Sequence, residues 1–187
     1  MISTSQFKKG LYIIFHGKPH KITSFSFVSP GKGSAFYRTK LKSIETDAVV
    51  EYTFKSGEKV EEVTVETKYL QYLYNDGEEY VFMKQETFEQ YQLKGGVVDD
   101  EAVMFLKPEV VYRVQFYEDE PVSIQLPKNI VMEVVSTEAG MKGDTVTGAL
   151  KPATLETGLI IQVPLFIKKG DKISVSTDNG GSYLSRV

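Results

Sequence analysis

Apolar and polar residues alternate with period two through most of this chain, in short runs cut by glycine, proline and asparagine. The cleanest case is Ala35–Lys42, where Phe36, Arg38, Lys40 and Lys42 fall on one face and Ala35, Tyr37, Thr39 and Leu41 on the other. Leu11–Phe15 and His20–Phe27, separated by His16-Gly17-Lys18-Pro19, predict a hairpin. Ala48–Phe54 and Val60–Val65, joined by Lys55-Ser56-Gly57-Glu58, bring residues 1–65 to about five short strands, the number a small SH3-like barrel uses. Asn75-Asp76-Gly77 between Tyr69–Tyr74 and Glu79–Met83 is a second hairpin signal, because these residues accept positive φ. Val110–Tyr117, Val122–Leu126, Ile130–Ser136, Leu159–Val163, Ile173–Thr177 and Tyr183–Val187 read as further strands. Only Glu86–Leu93 and Asp99–Leu106 predict helices, the second with acidic residues in its first turn and Pro108 beyond its end. Gly140–Lys151 predicts a long polar loop. Many short strands and almost no helix give an all-β fold class.

Charge divides this picture. Residues 1–64 carry a net +4, residues 65–128 a net −7 and residues 129–187 none. The expected domains are therefore 1–65, 66–128 and 129–187, with breaks near Val65 and Lys128. No acidic residue precedes Glu45, whereas eight basic ones do: Lys8, Lys9, Lys18, Lys21, Lys32, Arg38, Lys40 and Lys42. A one-signed field at one end of a mildly acidic chain implies a polyanionic partner there. Cysteine is absent, which excludes disulfides, thiol chemistry and cysteine–metal sites. The early apolar run Leu11–Phe15 is too short to span a membrane, so no membrane role and a cytoplasmic protein are expected.

Within the basic third, Ser29-Pro30-Gly31-Lys32-Gly33-Ser34-Ala35-Phe36 is an exposed turn between two predicted strands. Pro30 fixes its own φ, the glycines admit unusual backbone angles, and Lys32 is held out at the tip. Its four-carbon stem ends in a compact cation that fits a narrow polyanionic site and accepts acylation. Taken alone, these residues favour an ordinary hairpin turn with a solvated lysine. Enzymatic motifs are missing: no Walker-type loop, no G-x-S-x-G elbow and no H-E-x-x-H occur. His16 and His20 read as surface turn residues, Asp99-Asp100-Glu101 as a solvated helix start, and Glu118-Asp119-Glu120 as a turn. Aromatic residues read as core first and stacking platforms second. No enzyme, cofactor or metal site is expected.

Several stretches together resemble the bacterial elongation factor P family. Lys151-Pro152-Ala153, Gly158, Val163-Pro164, Ile167 and Gly170 look like its C-terminal signature, preceded by Gly143-Asp144-Thr145 and followed by Gly181-Ser182-Tyr183-Leu184-Ser185-Arg186-Val187. Pro30–Phe36 resembles its modified loop, and Tyr74-Asn75-Asp76-Gly77 with Glu86-Thr87-Phe88-Glu89-Gln90 its middle domain. The resemblance implies three small β-barrels, an N-terminal SH3-like (KOW-type) domain and two OB-folds, in an L-shaped, tRNA-like arrangement. It implies a monomeric translation factor that binds both ribosomal subunits between the P and E sites, steadies peptidyl-tRNA and relieves stalling at consecutive prolines. Lys32 is then the modification site for a lysine-modifying enzyme. Pro30, Gly31, Lys32, Gly33, Arg38, Lys40 and Lys42 would meet peptidyl-tRNA or ribosomal RNA. Gly143, Asp144, Thr145, Tyr183 and Arg186 would meet the small subunit and messenger. Ser29 stands where many members carry a basic residue, and Gly148-Ala149-Leu150 where a second glycine is common. A general OB-fold binder of single strands is the other reading that these residues allow.

Overall fold

The computed structural model describes residues 1–138 and 149–187. Three antiparallel sheets hold nearly all the regular structure. The chain groups into two compact units, Met1–Glu66 with Tyr117–Val122, and Thr67–Phe116 with Ser123–Val187.

In the first unit, β1 (Ile2–Ser3), β2 (Tyr12–Phe15), β3 (Lys18–Val28), β4 (Phe36–Ser43), β5 (Val49–Lys55) and β6 (Lys59–Glu62) form one sheet in the order β1-β6-β2-β3-β4-β5. Positive φ at His16 and Gly17 makes the two-residue turn that joins β2 to β3, a conformation matched to strand twist. Phe7, Ile13, Ile22, Leu41, Phe54 and Val60 form the core of this unit.

Largely in the second unit, β7 (Glu66–Asn75), β8 (Glu79–Met83), β9 (Gln90–Lys94), β10 (Val111–Tyr117) and β11 (Glu120–Gln125) make a sheet ordered β11-β10-β7-β8-β9, of which Glu66 and Tyr117–Val122 group with the first. Another is ordered β14-β13-β12-β15-β16, from β12 (Asn129–Thr137), β13 (Leu150–Leu155), β14 (Ile160–Pro164), β15 (Lys172–Ser176) and β16 (Ser182–Arg186). These two sheets share one continuous hydrophobic core, running from Leu70 and Phe82 through Phe105 to Met132 and Val175.

The helix expected over Glu86–Leu93 is not formed. Lys84–Glu89 is a tight turn closed by amide hydrogen bonds from Lys84 to Glu89 and from Phe88 to Lys84, and Gln90–Lys94 is strand β9 along β8. Tertiary pairing overrides the local helix preference of Glu and Gln. The second expected helix shrinks to α1 (Asp100–Val103), with Asp99 as N-cap accepting from the Ala102 amide at 2.7 Å. Its acidic start is not simply solvated, because the Glu101 carboxylate accepts from the Gly180 amide at 3.1 Å.

Further along, Lys107 Nζ lies 2.8 Å from the Glu156 carboxylate and donates to the Val131 carbonyl at 3.0 Å. Gly181, at φ +99°, sits so close to its neighbours that a Cβ would come within 3.1 Å of Leu159 and 3.2 Å of Phe105. Among the described residues no helix is long and apolar enough to cross a membrane.

Candidate nucleic-acid interface

Strands β3 and β4 form an arm whose far end carries the Lys32 loop. Residues 29–34 are all exposed, and the loop turns at Gly33, whose φ of 108° favours glycine. Gly31 has no such angle, so Gly33 alone uses the freedom expected of both. Lys32 makes no hydrogen bond or ion pair with any described residue. Nothing in the loop holds the ammonium back, and it stands free at the tip.

The register of the arm decides what lies behind that tip. Ser24 pairs with Lys40 and Ser26 with Arg38 on β3, and Arg38 pairs with Thr53 and Lys40 with Glu51 on β5. Directly paired residues share a face, so Ser24, Ser26, Arg38, Lys40, Glu51 and Thr53 lie together. With Phe25, Thr39 and Tyr52 of the same strands, they line a shallow groove of about 530 Å³. Arg38 is exposed and lies 5.6 Å from the Phe36 ring, with no carboxylate partner among the described residues.

The basic row is less one-signed than its strand suggests. Lys40 lies 3.3 Å from the Glu51 carboxylate, Lys42 2.9 Å from Asp47, and Lys18 2.6 Å from Glu45. These acids follow the basic run in sequence: Glu51 comes back alongside it on β5, and Glu45 and Asp47 lie in the turn between β4 and β5. Alternation within one strand carries no sign of the partner strand's register.

On the opposite face of the arm, Phe27 pairs with Tyr37 with ring centroids 5.0 Å apart, and Phe25 lies 6.5 Å from the same tyrosine. Tyr37 in turn meets the edge of the buried Phe7 at 5.9 Å. The core thus continues outward as an aromatic strip that ends exposed. The two histidines separate: His16 is exposed, whereas His20 is buried, with Nδ1 3.0 Å from the Lys18 carbonyl and its ring against Phe15. His20 is therefore a core residue and not the surface residue expected.

In the C-terminal sheet, Tyr183 is half-buried against the shared core, and Arg186 Nε lies 3.8 Å from Asp171. Lys151 is buried and donates to the Glu138 carbonyl at 2.8 Å. Gly143, Asp144 and Thr145 lie outside the described residues. Among those described, no group of three or more His, Asp or Glu side chains is arranged to hold a metal.

Three family profiles tile this architecture. Residues 3–60 match the elongation factor P (EF-P) KOW-like domain, 65–124 its OB domain, and 130–186 the profile described as elongation factor P, C-terminal. The chain belongs to the elongation factor P family. Elongation factor P of Thermoanaerobacter sp. (strain X514) is 50% identical over 187 residues, covering 100% of both chains. That of Moorella thermoacetica (strain ATCC 39073 / JCM 9320) is 49% identical over 186 residues, again covering 100% of both. Among solved structures, eukaryotic translation initiation factor 5A from Methanococcus jannaschii is 23% identical, with a TM-score of 0.47 over 66% of this chain and 89% of that one. Family membership makes the chain a translation elongation factor of all-β class, with a KOW-like domain followed by OB architecture. A factor of that kind works on the ribosome. The expectation drawn from the C-terminal signature and the Lys32 loop is met at this level.

Proposed function

We propose that this elongation factor binds between the ribosomal P and E sites, steadies peptidyl-tRNA and promotes peptide-bond formation at consecutive prolines. Lys32, extended by a lysine-modifying enzyme, reaches toward the acceptor end of the tRNA. The segments 1–65, 66–128 and 129–187 act as its three domains. The observation that carries the reading is the unpartnered Lys32 at the exposed tip of an arm whose groove face holds Arg38 and Lys40. A cation on a long stem, braced by a strand ribbon, enters a narrow polyanionic site with little backbone to desolvate.

Arg38, Lys40 and Lys42 engage phosphate behind the tip, and Pro30, Gly31 and Gly33 bring the loop backbone close to RNA. At the other end of the chain, Gly143, Asp144 and Thr145, with Tyr183 and Arg186, meet the small subunit and messenger. The chemistry belongs to the ribosome, and the factor contributes position. Holding a slow nucleophile and its ester in reacting geometry lowers the barrier without any catalytic side chain.

Lys32→Ala tests this directly. The side chain is exposed and makes no hydrogen bond or ion pair with any described residue, so stability moves by no more than about 0.5 kcal/mol. Rescue of a reporter with three consecutive prolines is lost while a proline-free control is unchanged. Equal rescue by variant and wild type would reduce Lys32 to an ordinary surface lysine. Intact mass of the protein from its native host, set against the sequence mass, tests the modification separately.

A further inference from the structure

The aromatic face of the β3–β4 arm has no role in that account, yet it is the more unusual surface. Phe27 is 54% exposed and Phe25 39%, side by side on an extended ribbon with Tyr37 between them. Each large ring left in water forgoes the gain from burial, and nothing within the first unit covers this strip.

Basic residues adjoin it along the chain. Phe7, which braces Tyr37, is followed by Lys8 and Lys9, both exposed, and Lys32 stands at the end of the same arm. The nearest acids in sequence, Glu45, Asp47 and Glu51, pair with Lys18, Lys42 and Lys40 rather than with Lys8, Lys9 or Lys32. Exposed flat rings, with unpaired cations adjoining them along the chain, match an anionic chain with exposed π-faces. Duplex RNA hides its base faces in the stack, so the fitting form is an unpaired nucleotide.

We propose that Phe25, Phe27 and Tyr37 form a stacking platform for unpaired RNA bases, with Lys8, Lys9 and Lys32 taking the flanking phosphates. This rests on the reading that the arm approaches the single-stranded acceptor end of a tRNA. It adds a second contact class to Lys32: the lysine supplies charge at the tip, and the rings fix the orientation of the bases beside it.

The chain contains no tryptophan, so Phe27→Trp creates a protein with a single indole reporter on the platform. Titration with a single-stranded adenosine–cytidine hexaribonucleotide should give saturable quenching of its fluorescence. The same hexamer annealed to its complement should give none. Phe25→Ala in that background should weaken binding roughly tenfold, as loss of one stacked base does. In the otherwise unaltered protein, competition with a labelled hexamer should show Phe27→Leu to be as poor as Phe27→Ala, because leucine keeps apolar bulk but not the π-face.

Absence of saturable quenching up to millimolar hexamer, or equal quenching by the duplex, overturns the platform. So does Phe27→Leu binding like wild type, which would mark an apolar docking face for protein. The readout uses neither ribosomes nor translation, which separates the two readings. A failure here leaves the proline rescue by Lys32 intact, and a failure of that rescue leaves the quenching intact.

Discussion

Tyr112 shows how one side chain can hold a segment of irregular backbone. It is fully buried, donates to the Phe105 carbonyl at 2.6 Å and accepts from the Lys107 amide at 2.8 Å. Both partners lie just beyond α1, where a helix end leaves backbone groups unsatisfied. Burial pushes the Tyr112 phenol up to about 12, although the Lys107 amide acts in the opposite direction. A folded-state value above the unfolded one means that the folded protein holds its proton longer. The stabilisation is complete below about pH 10 and is lost as pH climbs through about 12. Tyr112→Phe should therefore flatten the alkaline limb of a stability–pH curve while lowering stability near neutrality by about 1–3 kcal/mol, from two stranded backbone groups. Chemical denaturation at a series of pH values checks both. An alkaline limb unchanged in the variant would assign the loss to other groups.

At the scale of elements, the pairing of β4 with β5 sets the strength of the basic face. Lys40 opposes Glu51 directly, whereas Arg38 opposes Thr53. Arg38 is accordingly the cation most available to phosphate. Arg38→Ala should weaken ribosome binding and reduce the log–log salt slope by about one unit. Glu51→Gln should do the reverse, releasing Lys40 and steepening the slope, with little change in stability because the ion pair is exposed. Binding titrations across salt concentrations read both effects. Identical slopes in all three proteins would show that this face does not meet phosphate.

At the scale of the whole molecule, apolar burial among the described residues follows two clusters and not three. One belongs to the sheet of β1–β6, and the other gathers residues of the sheets β7–β11 and β12–β16 together with Phe105. Phe105→Ala removes a fully buried ring from the second cluster and should cost about 3–5 kcal/mol. In calorimetry, the transition carrying both of the later sheets should move down as one, and the transition of the first sheet should stay in place. Separate melting of the C-terminal sheet in the variant would show that the shared core is not cooperative.

Period-two alternation is local, and what depends on it was legible in the chain. The strands and the outward row Phe36, Arg38, Lys40 and Lys42 follow from it, while the exposed Lys32 tip and the Asn75-Asp76-Gly77 turn follow from equally local turn residues. There the Asp76 carboxylate accepts from the Glu79 and Glu78 amides, which hold it below the usual carboxylate range. Specific short motifs carried the family. Contacts between residues far apart in sequence were not legible, because pairing energy is decided by the partner. Gln90–Lys94 joined a neighbouring strand instead of coiling, and Glu51 came to rest against Lys40 through register. His20 was drawn under Phe15, and residues of two sheets gathered with Phe105 into one core. The aromatic strip of Phe25, Phe27 and Tyr37 is the clearest case. Alternation sets Tyr37 on the core face, a register shift between Ile22 and Ser24 brings Phe25 and Phe27 round to it, and the reach of the arm beyond its core leaves the rings in water.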